Sequence, residues 1–277
     1  MGVRPSVQPR TVRRPPHAPW HDGPPRFAVG LKPIPPERWL TPDTEAHALD
    51  DKRRLLADPS RVHRCAPEAE PAAREAARMV HAMAGGAMDS DAPLLSAASV
   101  VSDDLIVMVR DGDGQWRAGA LALCAPTFFS LERASGESLL ELHGPVPGGD
   151  GLARRIARIF DNLPQDAVLE RFNWTLQAGA ERFLPHAAPM RALADATPDA
   201  DAAEALHVRV ERQTIRWLPE TGAVLFTIRI CLDPAAALEE SDRAAIAAAW
   251  HGAGEDARAY KGWDRIDRLA RAWFTAG

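Results

Sequence analysis

The strongest constraint on the fold is a long hairpin at residues 206–230, where two strand-like segments flank a tight turn at 219–222. The second segment is almost wholly apolar, as a buried strand should be. The first segment carries several charged and polar side chains, which are costly to bury without partners. Since side chains alternate between strand faces, Arg212 and Arg216 share one face and Glu211 lies on the other. The hairpin therefore predicts a sheet in which charged groups need binding partners.

The expected register places Arg212 directly opposite Arg229, a like-charge pair that is unfavourable unless an anion lies beside it. In the upstream segment ERFNW, polar side chains again alternate with aromatic ones. A sheet that combines apolar and aromatic surface with several arginines suits a planar apolar ligand that carries carboxylates or phosphates. The alternative is a solvated sheet face with surface ion pairs.

The rest of the chain predicts helices, then mostly adjacent strands with one crossing helix, then helices again. Helical spacing covers residues 44–58, 68–83, 151–163, 234–250 and 263–274, and strand-like segments cover 104–110, 115–124, 138–149 and 167–178. Short turns between strands are typical of an antiparallel sheet, so the order predicts an α+β fold. We expect a PAS-like sheet of five or six strands with helices to one side. It would form one domain, residues 27–277, after a disordered Pro/Arg-rich tail at residues 1–26.

Composition narrows the range of functions. The 277 residues carry a formal net charge of -5, which argues against nucleic acid or an anionic membrane as a partner. No apolar run approaches the ~18–20 residues that a membrane-spanning helix needs. Cys65, Cys124 and Cys231 are far apart and form no CxxC pair, so thiolate zinc sites and iron–sulfur clusters are not expected in this chain. We interpret Cys124 and Cys231, which end apolar strand-like runs, as small buried hydrophobes, and the cysteine pattern fits a reducing cytoplasm.

His143 differs from the other histidines because the Pro/Gly-rich segment GPVPGG follows it. Such a rigid turn could hold an imidazole at a fixed angle over a pocket. The alternative is a structural histidine whose hydrogen bonds are satisfied within the turn. The chain has no HExxH motif, no second histidine at metal-ligand spacing and no facial triad, which argues against zinc and non-heme iron.

Six segments occur in a characteristic order: GLKPIPPERWLTPD, KRRLL, HGPVP, RFNW, ERQTIRWLPETGAVLFTIR and YKG. In this order they resemble the alpha subunit of the heme-dependent oxidative N-demethylases, across about residues 28–262. The resemblance implies a PAS-like fold that binds heme b. It implies oxidation of a secondary methylamine such as dimethylamine with dioxygen and two electrons, with release of formaldehyde. It also implies that NADPH supplies the electrons through a separate reductase subunit that carries FMN and a [2Fe-2S] cluster.

The resemblance also implies roles for individual residues. His143 lies in a segment shared with the family and is the expected axial ligand of the heme iron, with His207 as the alternative. The residues expected to neutralise the heme propionates or to line the apolar body of the heme are Arg171, Trp174, Arg212, Arg216, Phe226 and Arg229. Glu211 or Asp43 is expected to act in catalysis by holding a protonated amine near the iron.

The sequence departs from the family pattern at several positions. Ser102 and Asp103 stand where the family usually has Gln and Glu, and Arg133 and Ala134 stand where it has a Glu-Lys pair. If these positions shape the distal pocket or contact a propionate, substrate choice or heme retention differs here. Two other functions therefore stay open: a heme-binding PAS-like sensor or carrier without turnover, and a heme-free interaction subunit.

Overall fold

A computed structural model describes residues 14–41 and 47–275. Its strands are β1 (Lys32–Ile34), β2 (His63–Cys65), β3 (Asp104–Arg110), β4 (Trp116–Ala122), β5 (Val168–Ala178), β6 (Leu206–Leu218) and β7 (Ala223–Pro234). Within the described residues these seven strands form one antiparallel sheet in the order β1-β5-β6-β7-β3-β4-β2. The predicted α+β class and the antiparallel sheet are confirmed, whereas the likeness to PAS domains stays a prediction.

The helices surround this sheet. They are α1 (Ala48–Leu56), α2 (Glu70–Ala84), α3 (Pro93–Ala98), α4 (Leu131–Ala134), α5 (Leu139–His143), α6 (Gly149–Asp161), α7 (Ala188–Ala196), α8 (Ala202–Ala205), α9 (Glu240–His251), α10 (Glu255–Lys261) and α11 (Asp267–Thr275). In the part of the chain that the structure describes, no helix has both the length and the apolar character needed to cross a bilayer.

The two edge strands, β1 and β2, extend the sheet beyond the predicted number of strands. Each has only three residues, too few for a clear alternation in the sequence. Pro33 in β1 has no N–H to donate, which a strand at the edge of a sheet tolerates. The two edge strands of the sheet therefore cannot be predicted from the hydrophobic pattern of the sequence.

Helices pack on both faces of the sheet, which corrects the expectation of helices on one side. Along β3, Leu105 and Val107 pack with α2 and α3, whereas Ile106 and Met108 pack on the other face with α4–α6. The first half of β6 packs against α9 and α11 on the α2 face. We refer to the two surfaces as the α2 face and the α6 face.

The hairpin of β6 and β7 has the predicted register, with Arg212 directly opposite Arg229 on the α2 face. Arg212 Nε donates to Glu170 at 2.6 Å, and Arg229 Nε donates to Asp103 at 3.0 Å. The carbonyl oxygens that accept further bonds from these two guanidinium groups belong to Arg38, Trp39 and Thr41. The protein itself therefore supplies the negative charge that the like-charge pair requires.

Residues 138–149 form a helix and a turn, so the predicted strand is wrong. A capping box begins α5: Ser138 Oγ accepts from Glu141 N–H at 3.3 Å, and Ser138 N–H donates to Glu141 Oε2 at 2.7 Å. Serine followed three residues later by glutamate is the sequence signature of this cap. A short apolar run does not by itself distinguish a strand from a helix, and here the cap decides.

Packed structure begins before residue 27. A 3-10 turn at Pro19–Asp22 buries Trp20, whose Nε1 donates to the Asp242 carboxylate at 2.9 Å. A buried indole N–H needs such an acceptor. Residues 1–13 lie outside the described part of the chain, so disorder there stays a prediction.

Candidate functional site

A cavity of about 450 Å³ lies on the α6 face, a size within the usual range of ligand sites. Strands β5, β6 and β7 contribute to its lining, together with α5, α6 and the end of α10. The apolar part of the lining includes Leu123, Phe128, Phe129, Leu142, Val146, Leu152, Phe226 and Ile228. The ionisable side chains in the lining are Arg26, Asp104, Arg133, His143, Arg171, Glu211, Tyr260 and Lys261. The cavity thus combines an apolar wall with an unusual number of cations.

His143 is the last residue of α5, and its imidazole lines the cavity. Nδ1 lies 2.7 Å from the Leu139 carbonyl oxygen. Because a carbonyl only accepts, Nδ1 carries the proton and Nε2 keeps its lone pair. Burial lowers the pKa of the imidazole below its ordinary value, since it outweighs the opposing effect of the hydrogen bond to Leu139. A neutral histidine whose tautomer is fixed by a carbonyl is typical of metal ligands.

The turn after His143 is closed by its own backbone. Val146 N–H donates to the His143 carbonyl at 2.9 Å, and Gly149 N–H donates to the Val146 carbonyl at 2.8 Å. A Cβ added at Gly149 would lie 1.9 Å from the His143 carbonyl oxygen, so this approach requires glycine. The turn therefore fixes the backbone of the residue whose imidazole faces the cavity.

Replacing Gly149 with alanine is expected to destabilise the protein by about 1–3 kcal/mol, because the new methyl group overpacks the turn. Gly151 is the matched control: it lies in the same helix, and a Cβ there meets nothing within 4 Å. Gly151→Ala should stabilise by about 0.5–1 kcal/mol through helix propensity. Urea unfolding of both variants measures the difference, and equal stabilities would contradict the role of Gly149.

Glu211 forms the polar floor of the cavity, and three neutral side chains donate to its carboxylate. Thr127 Oγ1 donates to Oε1 at 2.7 Å, while Asn173 Nδ2 and Gln213 Nε2 donate to Oε2 at 3.1 Å and 2.9 Å. Burial raises the pKa of Glu211, but these bonds and the charge of Lys261 outweigh it, so the pKa lies below its ordinary value. Glu211 is therefore a carboxylate at neutral pH, and Oε1 keeps a lone pair for a ligand.

Lys261 is coupled to Glu211 through one amide. Its Nζ donates to Asn173 Oδ1 at 2.8 Å, and the same amide donates to Glu211. Burial lowers the pKa of Lys261 to about 8, with Arg171 adding to the effect and Glu211 opposing it. This ammonium group therefore titrates close to neutral pH, next to the carboxylate that it balances.

A fully buried arginine, Arg209, holds the Thr127 hydroxyl that donates to Glu211. Arg209 Nε donates to Thr127 Oγ1 at 2.8 Å, and its terminal nitrogens donate to Gln177 Oε1 and to the Ala125 carbonyl. Because Thr127 in turn donates to Glu211, Arg209 fixes the rotamer of the hydroxyl that holds the carboxylate. The polar groups form one connected network, which is how buried polar groups avoid the cost of desolvation.

Cation binding to Glu211 is expected to strengthen by about five- to tenfold as the pH rises from 7 to 9, because Lys261 loses the charge that offsets the carboxylate. Tetramethylammonium is a suitable probe, since its own charge does not titrate. His143 titrates below this range and Tyr260 above it, because burial lowers the pKa of the imidazole and raises that of the phenol. Lys261→Met should bind the probe tightly at both pH values. A pH-dependent affinity that persists in Lys261→Met would contradict this assignment.

Three arginines in the cavity lining, Arg26, Arg133 and Arg171, have no side-chain hydrogen bond or ion pair within the described residues. Arg26 and Arg133 are exposed, whereas Arg171 is partly buried and its Nε atom has no partner. Burial lowers the pKa of Arg171, against the opposing charge of Glu211. Unpaired guanidinium groups at an apolar cavity are suited to an anionic ligand with an apolar body.

The site fits a heme better than a bare metal ion. Residues 14–41 and 47–275 contain no cluster of three or more His, Cys, Asp or Glu side chains that could hold a metal ion. A porphyrin needs only one or two axial ligands from the protein, because the macrocycle supplies the rest. His143 offers the ligand atom, and the unpaired arginines offer partners for propionates.

Over residues 81–270, the chain matches the family described as haem-dependent oxidative N-demethylase, alpha subunit-like. The match covers more than half of the chain, from the end of α2 into α11. The chain belongs to this family. The matched range includes His143, Arg171, Glu211 and Lys261, so most of the cavity lies inside it. The family description names heme dependence and an alpha subunit, which implies an enzyme of more than one subunit.

In this N-demethylase alpha-subunit-like protein, the cavity brings together part of the predicted site: His143, Arg171, Glu211 and Phe226. The other predicted heme-binding residues lie on the α2 face. Arg212 and Arg229 form ion pairs there, Arg216 lies over the Trp39 ring at 4.7 Å, and Trp174 is buried in the core. His207 does not line the cavity either, and Asp43 lies outside the described residues.

Several residues of the site in this family member are not predictable from the sequence pattern. Arg26, Thr127, Asn173 and Lys261 line the cavity but belong to different elements, so no spacing within one segment connects them. Arg133, noted only as a departure from the family pattern, also lines the cavity. The YKG segment contains Lys261 and was the one available signal for it.

Proposed function

We propose that this chain is the heme-binding, oxygenase-type subunit of an enzyme that oxidatively N-demethylates a small secondary methylamine with dioxygen and releases formaldehyde. Dimethylamine represents the substrate class. The observation that carries the proposal is one cavity that holds a neutral histidine with an available Nε2, unpaired arginines and a carboxylate. Membership of the N-demethylase family supports the same reaction.

His143 would hold heme b through Nε2, since the lone pair of this atom is kept available by the hydrogen bond from Nδ1 to the Leu139 carbonyl. The exposed arginines Arg26 and Arg133 would neutralise the propionates, and Phe226 and the neighbouring apolar side chains would contact the ring. Heme b, when bound, supplies the activation of dioxygen. The protein's own contribution is to bind and orient the cofactor and the substrate and to exclude water from the site.

Glu211 would hold the amine substrate. Its Oε1 accepts one bond, from Thr127, and can accept another from the N–H of a protonated amine. Thr127, Asn173 and Gln213 fix the carboxylate in place, so the amine would be oriented rather than loosely attracted. Lys261 would set how strongly Glu211 attracts a cation, as its pKa of about 8 implies.

The electrons would come from NADPH through a separate reductase subunit that carries FMN and a [2Fe-2S] cluster. An alpha-subunit-like family supports a partner of this kind. The reaction needs two electrons for each dioxygen, and heme b has no direct means to accept a hydride from a nicotinamide.

The test is a hemin titration of the full chain, followed by turnover. We expect a Soret band that shifts on reduction and on addition of carbon monoxide. With an electron donor, dimethylamine and dioxygen should then give formaldehyde in proportion to the amine consumed. A Soret band without formaldehyde from any small N-methylamine would favour a sensor or carrier. No Soret band at saturating hemin would leave the heme-free interaction subunit as the better function.

A further inference from the structure

The cations of the cavity exceed what a heme requires. The unpaired arginines number three among the described lining residues, whereas heme b carries two propionates. The other charged groups already have partners of opposite charge. Lys261 is coupled to Glu211 through Asn173, and Asp104, which accepts bonds from the Cys124 and Ala125 amides, faces the cations Lys52 and Arg209. One guanidinium group is therefore left without an anion when the propionates are paired.

Arg171 is the arginine that a propionate suits least. Arg26 and Arg133 are exposed, where the carboxylates of a propionate pair can remain partly solvated. Arg171 lies on strand β5 at the floor of the cavity, and its buried Nε atom has no hydrogen-bond partner in the described residues. A buried, unpaired donor is costly, so this position favours a ligand that brings an acceptor to it.

Arg171 and Glu211 are diagonal neighbours on adjacent strands. Arg171 pairs with Gln213 and Asn173 pairs with Glu211, so the two charged side chains share one face at a spacing of about 7–8 Å between their backbones. They form no ion pair with each other, because the carboxylate is held by Thr127, Asn173 and Gln213. The Glu211 carboxylate can therefore accept a hydrogen bond from an ammonium group, and the neighbouring Arg171 guanidinium group can donate to a carboxylate.

We propose that the substrate is an N-methyl amino acid, whose secondary ammonium binds Glu211 and whose carboxylate binds Arg171. The inference rests on the proposed function and names the substrate class for the same site. A small zwitterion satisfies both groups at once, while dimethylamine would leave the Arg171 guanidinium unpaired. The two exposed arginines of the cavity lining, Arg26 and Arg133, are then the partners of the propionates.

Isothermal titration of the full chain with N-methylglycine and with dimethylamine tests the proposal, without reductant so that no turnover occurs. We expect N-methylglycine to bind at least about tenfold more tightly, as one charge-assisted hydrogen-bonded pair implies. Arg171→Gln should remove this preference by weakening the binding of N-methylglycine, whereas dimethylamine should bind at least as tightly as before, because a cation beside Glu211 is lost. Arg154→Gln, on the exposed side of α6, is the matched control and should change neither affinity.

Arg133→Gln separates the two kinds of anion. It should weaken hemin binding and leave the preference for N-methylglycine in place. Equal affinities for the two amines in the unmodified chain would overturn the proposal, and so would a preference that survives Arg171→Gln. Because the titration uses neither dioxygen nor an electron donor, its outcome is separate from the formaldehyde assay, whose failure would instead remove the proposed function.

Discussion

His143→Ala should abolish the wild-type Soret band, or replace it by the spectrum of loosely bound hemin. Nε2 of this imidazole is the ligand atom that the cavity offers, since the proton lies on Nδ1 at 2.7 Å from the Leu139 carbonyl. Loss of an outer-shell partner alone typically lowers metal affinity by about 10–100-fold, so loss of the ligand itself should cost at least that much. Hemin titration followed by absorbance measures both the spectrum and the affinity.

His207→Ala is the matched control. His207 is the second residue of β6. It was the alternative ligand, and it does not line the cavity. Its removal should leave the Soret band and hemin affinity as in the unmodified protein. If His207→Ala loses the band and His143→Ala keeps it, the axial assignment is wrong. A folded His143→Ala protein, checked by circular dichroism, makes the comparison valid.

Acidification should weaken hemin binding, which a hemin titration at decreasing pH would measure. Burial lowers the pKa of His143, so the free imidazole is neutral at neutral pH and available as a ligand. Protonation at lower pH removes the lone pair on Nε2. Hemin affinity should therefore fall as His143 Nε2 becomes protonated.

The hairpin shows how far sequence pattern alone can go. Alternation within β6 and β7, with a short turn, gives the correct register and pairs Arg212 with Arg229. It does not reveal that Glu170 and Asp103, from another strand and from a loop, lie beside these arginines. Local patterns fix which residues share a face, whereas the partners on that face depend on contacts distant in the chain.

The candidate site was predicted in part for the same reason. His143 was singled out because a rigid Pro/Gly segment follows it, whereas the role of Glu211 was implied by the resemblance to the N-demethylase family. Arg171 and Arg212 were assigned to one ligand, yet β5 pairs with β6 so that Arg171 faces Gln213 and lies on the opposite face from Arg212. A long connection joins these two strands, and the sequence does not determine their register.

Breaking the Arg229–Asp103 ion pair should have the largest effect on stability. Both side chains are buried, and Arg229 Nε donates to Asp103 Oδ2 at 3.0 Å. Asp103→Ala should cost about 3–5 kcal/mol, because it removes a buried ion pair and the two hydrogen bonds that Asp103 accepts from the Arg229 guanidinium group. Asp50→Ala, in the exposed pair with Arg53 on α1, should cost no more than about 1 kcal/mol. Urea unfolding of the two variants measures both values.

The double variant Asp103→Ala/Arg229→Met distinguishes a structural pair from a heme contact. It removes both charges, so its cost should be smaller than the sum of the two single changes. Hemin affinity should stay unchanged, since both residues lie on the α2 face and neither lines the cavity. A loss of hemin affinity in the folded double variant would instead indicate that Arg229 binds a heme propionate, as predicted from the sequence. In that case the α2 face, and not the cavity on the α6 face, would hold the cofactor.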